Sequence, residues 1–149
     1  MSRLNRLYEE MILEHNKKPR NFEKLEPCTH SSHGKNPLCG DDYFVFLNLD
    51  GDVIKEISFL GQGCAISKSS GSLMTEALKG KTVSEAVEMK DSFLDLVSKD
   101  VEPEVKNSLG KLKVFEGVKQ FPVRVKCAAL VWRALEDALE NNAGEISTE

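Results

Sequence analysis

The stretch Asp42-Tyr43-Phe44-Val45-Phe46-Leu47-Asn48-Leu49-Asp50-Gly51-Asp52-Val53-Ile54-Lys55-Glu56-Ile57-Ser58-Phe59-Leu60 decides the fold. Tyr43, Val45, Leu47 and Leu49 recur at every second position, with Phe44, Phe46 and Asn48 between them. That alternation is the signature of a strand with two distinct faces. Asp50-Gly51 is a tight-turn dipeptide, because glycine accepts the positive φ that short hairpin turns require. Val53 to Leu60 then returns as the second strand of a hairpin, with Ile54 and Ile57 among its apolar residues.

Upstream, a short third strand is expected between Thr29 and Lys35, although the segment is polar. Further back, Leu4, Leu7, Tyr8, Met11 and Ile12 form an apolar stripe at helical spacing, which predicts a helix over Ser2 to His15. Pro19 ends it, and Asn16 to Glu26 reads as a loop. Downstream, Gly61 and Gly63 interrupt the second strand. Ala65 to Lys79 reads as a helix stopped by Gly80. Thr82-Val83-Ser84-Glu85 fits a capping box for a short helix to Met89, and Ser92 to Ser98 reads as another. Pro103 opens a helix to Leu109, and Leu112 to Val118 is a short helical or irregular piece. Pro122 precedes a last helix over Val123 to Asn142, whose apolar face includes Cys127, Leu130, Val131, Ala134, Leu135 and Ala138. Residues 143–149 are expected to be a frayed polar tail. The order is one helix, a small antiparallel sheet of about three strands, then several helices: an α+β chain of one domain spanning residues 1–149.

The 149 residues suffice to bury a core without disulfides. A net charge of −4, with no dense Lys/Arg cluster, argues against a nucleic-acid binder. No apolar run approaches the roughly 18 residues a membrane span needs, and the N-terminus leads into an amphipathic helix rather than a signal core. A cytoplasmic location is expected. In that reducing compartment, four cysteines read as ligands or nucleophiles rather than disulfides.

Three of those cysteines sit in turn contexts. Cys39 lies in Pro37-Leu38-Cys39-Gly40-Asp41, a loop feeding a strand. Cys64 lies at a strand-to-helix junction, where free amide groups favour a thiolate. Cys127 is near the start of the last helix, beside Arg124 and Lys126, whose charges favour the thiolate or contact a partner. Cys39, Asp41, Cys64 and Cys127 together make a tetrahedral set for Zn2+. The alternative is that Cys64 and Cys127 are small buried hydrophobes. Spacing alone leaves both open, because no Cys-x-x-Cys pair exists, and the same absence argues against a thiol redox protein.

Cys28, His30 and His33 could offer a competing cluster, but their intervals are not standard zinc spacings. They read as an incidental thiol and two polar loop residues. His15 suits the negative end of the first helix. The run Ser67, Ser69, Ser70, Ser72 reads as small residues permitting close helix packing, and Trp132 as partly buried, with a partner contact as the alternative.

Asn36-Pro37-Leu38-Cys39-Gly40-Asp41, then Gly63-Cys64-Ala65-Ile66-Ser67-Lys68-Ser69-Ser70, then Lys126-Cys127 resemble the three motifs of the U-type iron–sulfur assembly proteins, the IscU/NifU N-terminal family. Tyr8 to Asn21 is similar to that family's opening helix and loop. Two departures bring the chain nearer the SufU branch than the scaffold branch. Lys126 stands where scaffold members carry His before the third cysteine, and the stretch Gly80 to Gln120 is long. The resemblance implies a SufE/NifU-like fold and a zinc site of Cys39, Asp41, Cys64 and Cys127. It further implies that Cys39 is the catalytic thiol. Cys39 would accept sulfur from a PLP-dependent cysteine desulfurase of the SufS type, for delivery to a downstream iron–sulfur scaffold complex. The alternatives are a scaffold building a [2Fe–2S] iron–sulfur cluster on the same residues, and a non-catalytic zinc-stabilised interaction module. Nothing is implied for Cys28.

Overall fold

A computed structural model describes residues 3–140 and 145–147. Helix α1 (Arg3–Lys17) leads into three strands, β1 (His30–Asn36), β2 (Asp41–Asp50) and β3 (Val53–Gln62). Helices α2 (Ala65–Leu78), α3 (Val83–Ser98) and α4 (Pro103–Ser108) follow. A 3₁₀ segment (Gly110–Gln120), α5 (Pro122–Leu139) and a short strand β4 (Glu145–Ser147) complete the order. β1, β2 and β3 pair antiparallel in sequence order, as the alternating hairpin requires. The α+β class and the helix–sheet–helices order expected from the sequence are both observed.

Register carries the functional consequence. Asn36 pairs with Asp41, and Asp42 pairs with Gln62. One end of the sheet therefore gathers the loop 37–40 holding Cys39, the first residue of β2, and the exit of β3 towards Cys64. α5 packs across β1 and β2 and against α2, and so brings Cys127 over that end.

The buried face of the hairpin holds Tyr43, Val45, Leu47, Ile57 and Phe59, each at most 2% exposed. Leu49, expected on that face, is only half-buried, because the ladder shifts register between Asn48 and Leu49. The serines of α2 act as the sequence suggests. Ser67, Ser69, Ser70 and Ser72 are fully buried, and Ser70 Oγ donates to the Ala128 carbonyl of α5 at 2.7 Å. Gly71 lets the Phe59 ring approach so closely that an added Cβ would stand 2.6 Å from Cε2.

Four expectations need correction. The two short helices foreseen over residues 82–98 are one helix. The polar Lys90-Asp91 step is a tether rather than a break: Lys90 Nζ pairs with Glu136 of α5 and with Asp91, each at 2.6 Å. The Thr82–Glu85 capping box is present. Trp132 is completely rather than partly buried, which rules out a partner contact. Its ring stacks on Phe93 at 4.5 Å, and its indole N–H donates to Ser70 Oγ at 3.1 Å. His15 is not a charged dipole partner but a buried imidazole, 2% exposed, with Nδ1 2.6 Å from Ser72 Oγ. Ser72 Oγ also accepts the Arg20 N–H, and burial of the ring favours its neutral form. Within the expected tail, Glu145–Ser147 pair parallel with β1 on the side away from β2. The remaining residues of that tail, 143–144 and 148–149, lie outside the described residues. So do 141–142, where the last helix was expected to end. No described helix is long and apolar enough to cross a membrane.

Burial holds the His15 pKa below its ordinary value. The unfolded chain therefore binds this proton more readily, and stability drawn from neutral His15 is complete above about pH 6.5 and is lost as the pH falls below it. His15→Gln should lower the urea midpoint at pH 7.5 and flatten its decline between pH 7 and pH 5. Equal pH slopes in both proteins would remove His15 from the acid response.

Candidate metal centre

The centre is built from three backbone features. The loop 37–40 turns back on itself, with Gly40 at φ +71° and the Cys39 N–H donating to the Asn36 carbonyl at 3.2 Å. Cys39 is half-exposed at its tip, beside Leu38, which is 66% exposed. Asp41 opens β2 and is 2% exposed. Cys64 is the N-cap of α2, its sulfur accepting the Ser67 N–H at 3.5 Å in place of the usual hydroxyl or carboxylate. Cys127 lies in the second turn of α5 and is 3% exposed.

These elements converge. Ligand atoms of Cys39, Asp41 and Cys127 all lie within 4.8 Å of one another, and the two sulfurs are 3.2 Å apart. The Cys64 sulfur is not one of that mutually close trio, and it lies 3.6 Å from Ser67 Oγ. Cys64 reaches Asp41 through its backbone, the N–H donating to Oδ1 at 2.9 Å. Asn36, fully buried, places Nδ2 3.8 Å from the Cys127 sulfur.

The thiols differ in acidity. Interaction with the Cys127 thiol, helped by the Ser67 N–H and opposed by burial, pulls the Cys64 pKa down to about 6. The neighbouring Cys64 thiol, burial and the Cys39 sulfur push Cys127 up. Burial likewise keeps the Tyr43 phenol protonated, well above its ordinary range.

Asp41 decides whether a cation fits. Oδ1 accepts the Cys64 N–H and the Ser67 hydroxyl at 3.0 Å. Oδ2 is buried with no hydrogen-bond partner. A bare carboxylate oxygen away from water costs free energy unless something positive meets it. The Cys39 and Cys127 sulfurs, within 4.8 Å of a carboxylate oxygen of Asp41, make a donor set suited to zinc or to iron. The residues fit a metal ion.

The other sequence-level candidates lie elsewhere. Arg124 places its guanidinium over the Phe121 ring at 4.5 Å and sits near enough to Tyr8 to oppose the rise in its pKa. Lys126 is half-exposed. His30 bonds Thr29, and His33 bonds Asp42 and stacks on Phe44, so neither joins Cys28 in a metal cluster. Sequence reading missed Tyr43 and Ser67, taken respectively as core and as packing. The signal for Ser67 was its place three residues after the N-cap cysteine.

A helix-capped sheet end gathers thiols and one carboxylate into a donor set of the kind that suits a metal ion, within an α+β fold. Residues 7–141 match the family described as NifU-like N terminal domain, and the chain belongs to that family. It is 38% identical over 142 residues to the zinc-dependent sulfurtransferase SufU of Bacillus subtilis, covering 95% of both chains. It is 37% identical to the iron–sulfur cluster assembly scaffold protein IscU of Streptococcus pyogenes, covering 96% of this chain and 89% of that one. A crystal structure of a candidate iron–sulfur cluster assembly scaffold protein for the SUF system from Fervidobacterium islandicum superposes with a TM-score of 0.82. It is 38% identical, over 91% of this chain and 98% of that chain.

In metal-free protein, iodoacetamide at pH 7 should label Cys64 well before Cys127, since the first is ionised and half-exposed and the second protonated and enclosed. Peptide mass spectrometry reads the order, and labelling of Cys127 first would contradict the unequal acidity of the two thiols.

Proposed function

We propose that this protein is a zinc-dependent sulfur acceptor working in the cytoplasm. It takes sulfur from the cysteine persulfide of a PLP-dependent desulfurase of the SufS type and passes it to a downstream iron–sulfur scaffold complex. The observation that carries the reading is unequal access within one cluster. Cys39 stands on a surface turn, while Asp41 and Cys127, within 4.8 Å of it, are 2% and 3% exposed.

Cys39, Asp41, Cys64 and Cys127 would hold the zinc. When bound, zinc supplies a redox-inert positive charge that keeps sulfur deprotonated at neutral pH. Cys39, as thiolate, attacks the outer sulfur of the donor persulfide. A new S–S bond forms at Cys39, the donor's S–S bond breaks, and the donor cysteine leaves as thiolate; no electrons are gained or lost overall. Asp41, Cys64 and Cys127 belong to the body of the fold and keep their positions while the Cys39 loop moves. Arg124, exposed beside Phe121 and Val123, and Lys126 suit contact with the partner more than contact with the sulfurs.

A [2Fe–2S] scaffold on the same residues is the second reading, favoured by the Streptococcus relative, whose identity differs from that of the Bacillus relative by a single percentage point. Lys126 weighs against it. At neutral pH an ammonium has no lone pair to offer iron, whereas an imidazole in its place would.

Cys39→Ala should abolish sulfur uptake from, and stimulation of, a persulfide-bearing desulfurase, while circular dichroism stays native. Full stimulation by this variant refutes the acceptor role. Cys127→Ala should lose zinc on elemental analysis and lower the melting temperature of the purified protein. Anaerobic loading with iron and sulfide, followed by transfer to an apo-ferredoxin, separates the scaffold reading.

A further inference from the structure

Beneath the metal centre lies a hydrogen-bonded chain that neither the ligand set nor the transfer step uses. Tyr43 and Ser67 are both fully buried, and Ser67 Oγ lies 3.1 Å from the Tyr43 hydroxyl and 3.0 Å from Asp41 Oδ1. It also lies 3.0 Å from the Cys64 carbonyl, which already accepts the Lys68 N–H. Among the acceptors within reach of the single Ser67 proton, the carboxylate is the strongest. Ser67 thus links the Tyr43 hydroxyl to Asp41 Oδ1, with one hydrogen bond on each side.

The fold makes room for this chain at a cost elsewhere. A Cβ on Gly63 would meet Asp41 Oδ1, and would come within 2.7 Å of Ser67 Oγ and 2.8 Å of the Tyr43 hydroxyl, closer than real Cβ atoms approach other groups. All three oxygens press against the one backbone position without a side chain, directly before Cys64. Oδ1 is thus saturated by the Cys64 N–H and the Ser67 hydroxyl, and Oδ2 alone is left without a partner.

We propose that Tyr43 and Ser67 are positioning residues for the metal centre, fixing Asp41 so that it meets the metal through a single oxygen and leaving Cys39 as the ligand that departs. This rests on the metal-binding reading above. A carboxylate free to rotate could offer both oxygens or swing away. One pinned through Oδ1 from the helix start and from the sheet core can do neither. Among the proposed ligands, the surface turn of Cys39 then offers the easiest exit.

The test uses the full-length chain loaded with Co2+, whose visible d–d bands are intense in a four-coordinate thiolate site and weaken in a five-coordinate one. Zinc affinity is measured in parallel by competition with a chromophoric chelator. The unsubstituted protein should show intense four-coordinate bands with sulfur-to-cobalt charge transfer. Their absence defeats the metal reading itself, independently of the chain beneath it. Ser67→Ala should weaken the d–d bands as Asp41 becomes a two-oxygen ligand, and should lower zinc affinity about 10- to 100-fold, the usual effect of removing a group that orients a ligand. Tyr43→Phe, which removes one oxygen from an otherwise unchanged ring, should move both readouts in the same direction by less. Native Trp132 fluorescence in each variant certifies folding, and Tyr43→Phe carries the test alone if Ser67→Ala does not fold. Variants that lose melting temperature without metal, yet keep the original cobalt spectrum and zinc affinity, would make the chain merely structural and overturn the proposal.

Discussion

The bond from the Cys64 amide to Asp41 Oδ1 holds the centre together. It joins the first residue of β2 to the first turn of α2, two points separated in sequence by the whole hairpin. A buried carboxylate is tolerable only where donors surround it, and an orphan helix amide needs an acceptor. Each meets the other's need, and the bond is charge-assisted. Remove it and the sheet end, the N-terminus of α2 and the sulfur of Cys64 lose their common reference. Cys127 adds the third segment, because α5 lies across β1 and β2 and reaches the same end of the sheet.

Parts of this were legible in the residues. Alternation in Tyr43-Val45-Leu47 and the Asp50-Gly51 turn announced the hairpin, because period and turn chemistry act over a few neighbours. The capping box at Thr82 was legible for the same reason. What escaped was non-local. Nothing near Lys90 says that its partner is Glu136, so a polar step in one continuous helix looked like a boundary. Nothing near His15 says that Ser72 will meet it, so a buried neutral imidazole looked like a charge at a helix end. Tyr43 satisfied the strand pattern so well that its hydroxyl drew no notice, yet that oxygen bonds the serine that meets the anchoring carboxylate. The three motif segments could be singled out residue by residue, whereas their meeting at one sheet end needed the register and the path of α5.

The metal-free thiols reveal how the site is poised. The negative charge is favoured at Cys64, where the N-terminus of α2 supplies the Ser67 N–H. Asp41 Oδ2 is left without a partner. A cation held by these residues would answer both, keeping thiols deprotonated and meeting the bare carboxylate oxygen. That coincidence favours a metal over the reading of Cys64 and Cys127 as ordinary small hydrophobes, which explains neither.

Whether such a centre serves as a carrier or a scaffold turns on which ligand can leave. A scaffold must keep every thiolate on iron while a cluster is built, and gains from ligands of equal standing. A sulfur carrier must release one thiol and keep the rest. The arrangement here is graded. Asp41 is pinned through Oδ1, Cys127 is enclosed by α5, Cys64 is held at the head of α2, and Cys39 alone rides on a glycine-flanked turn beside an exposed leucine. Three donors on regular elements and one on a surface turn suit the carrier proposed above, whose first cysteine would depart, take up a sulfur atom and return; overall similarity to relatives does not separate the two functions.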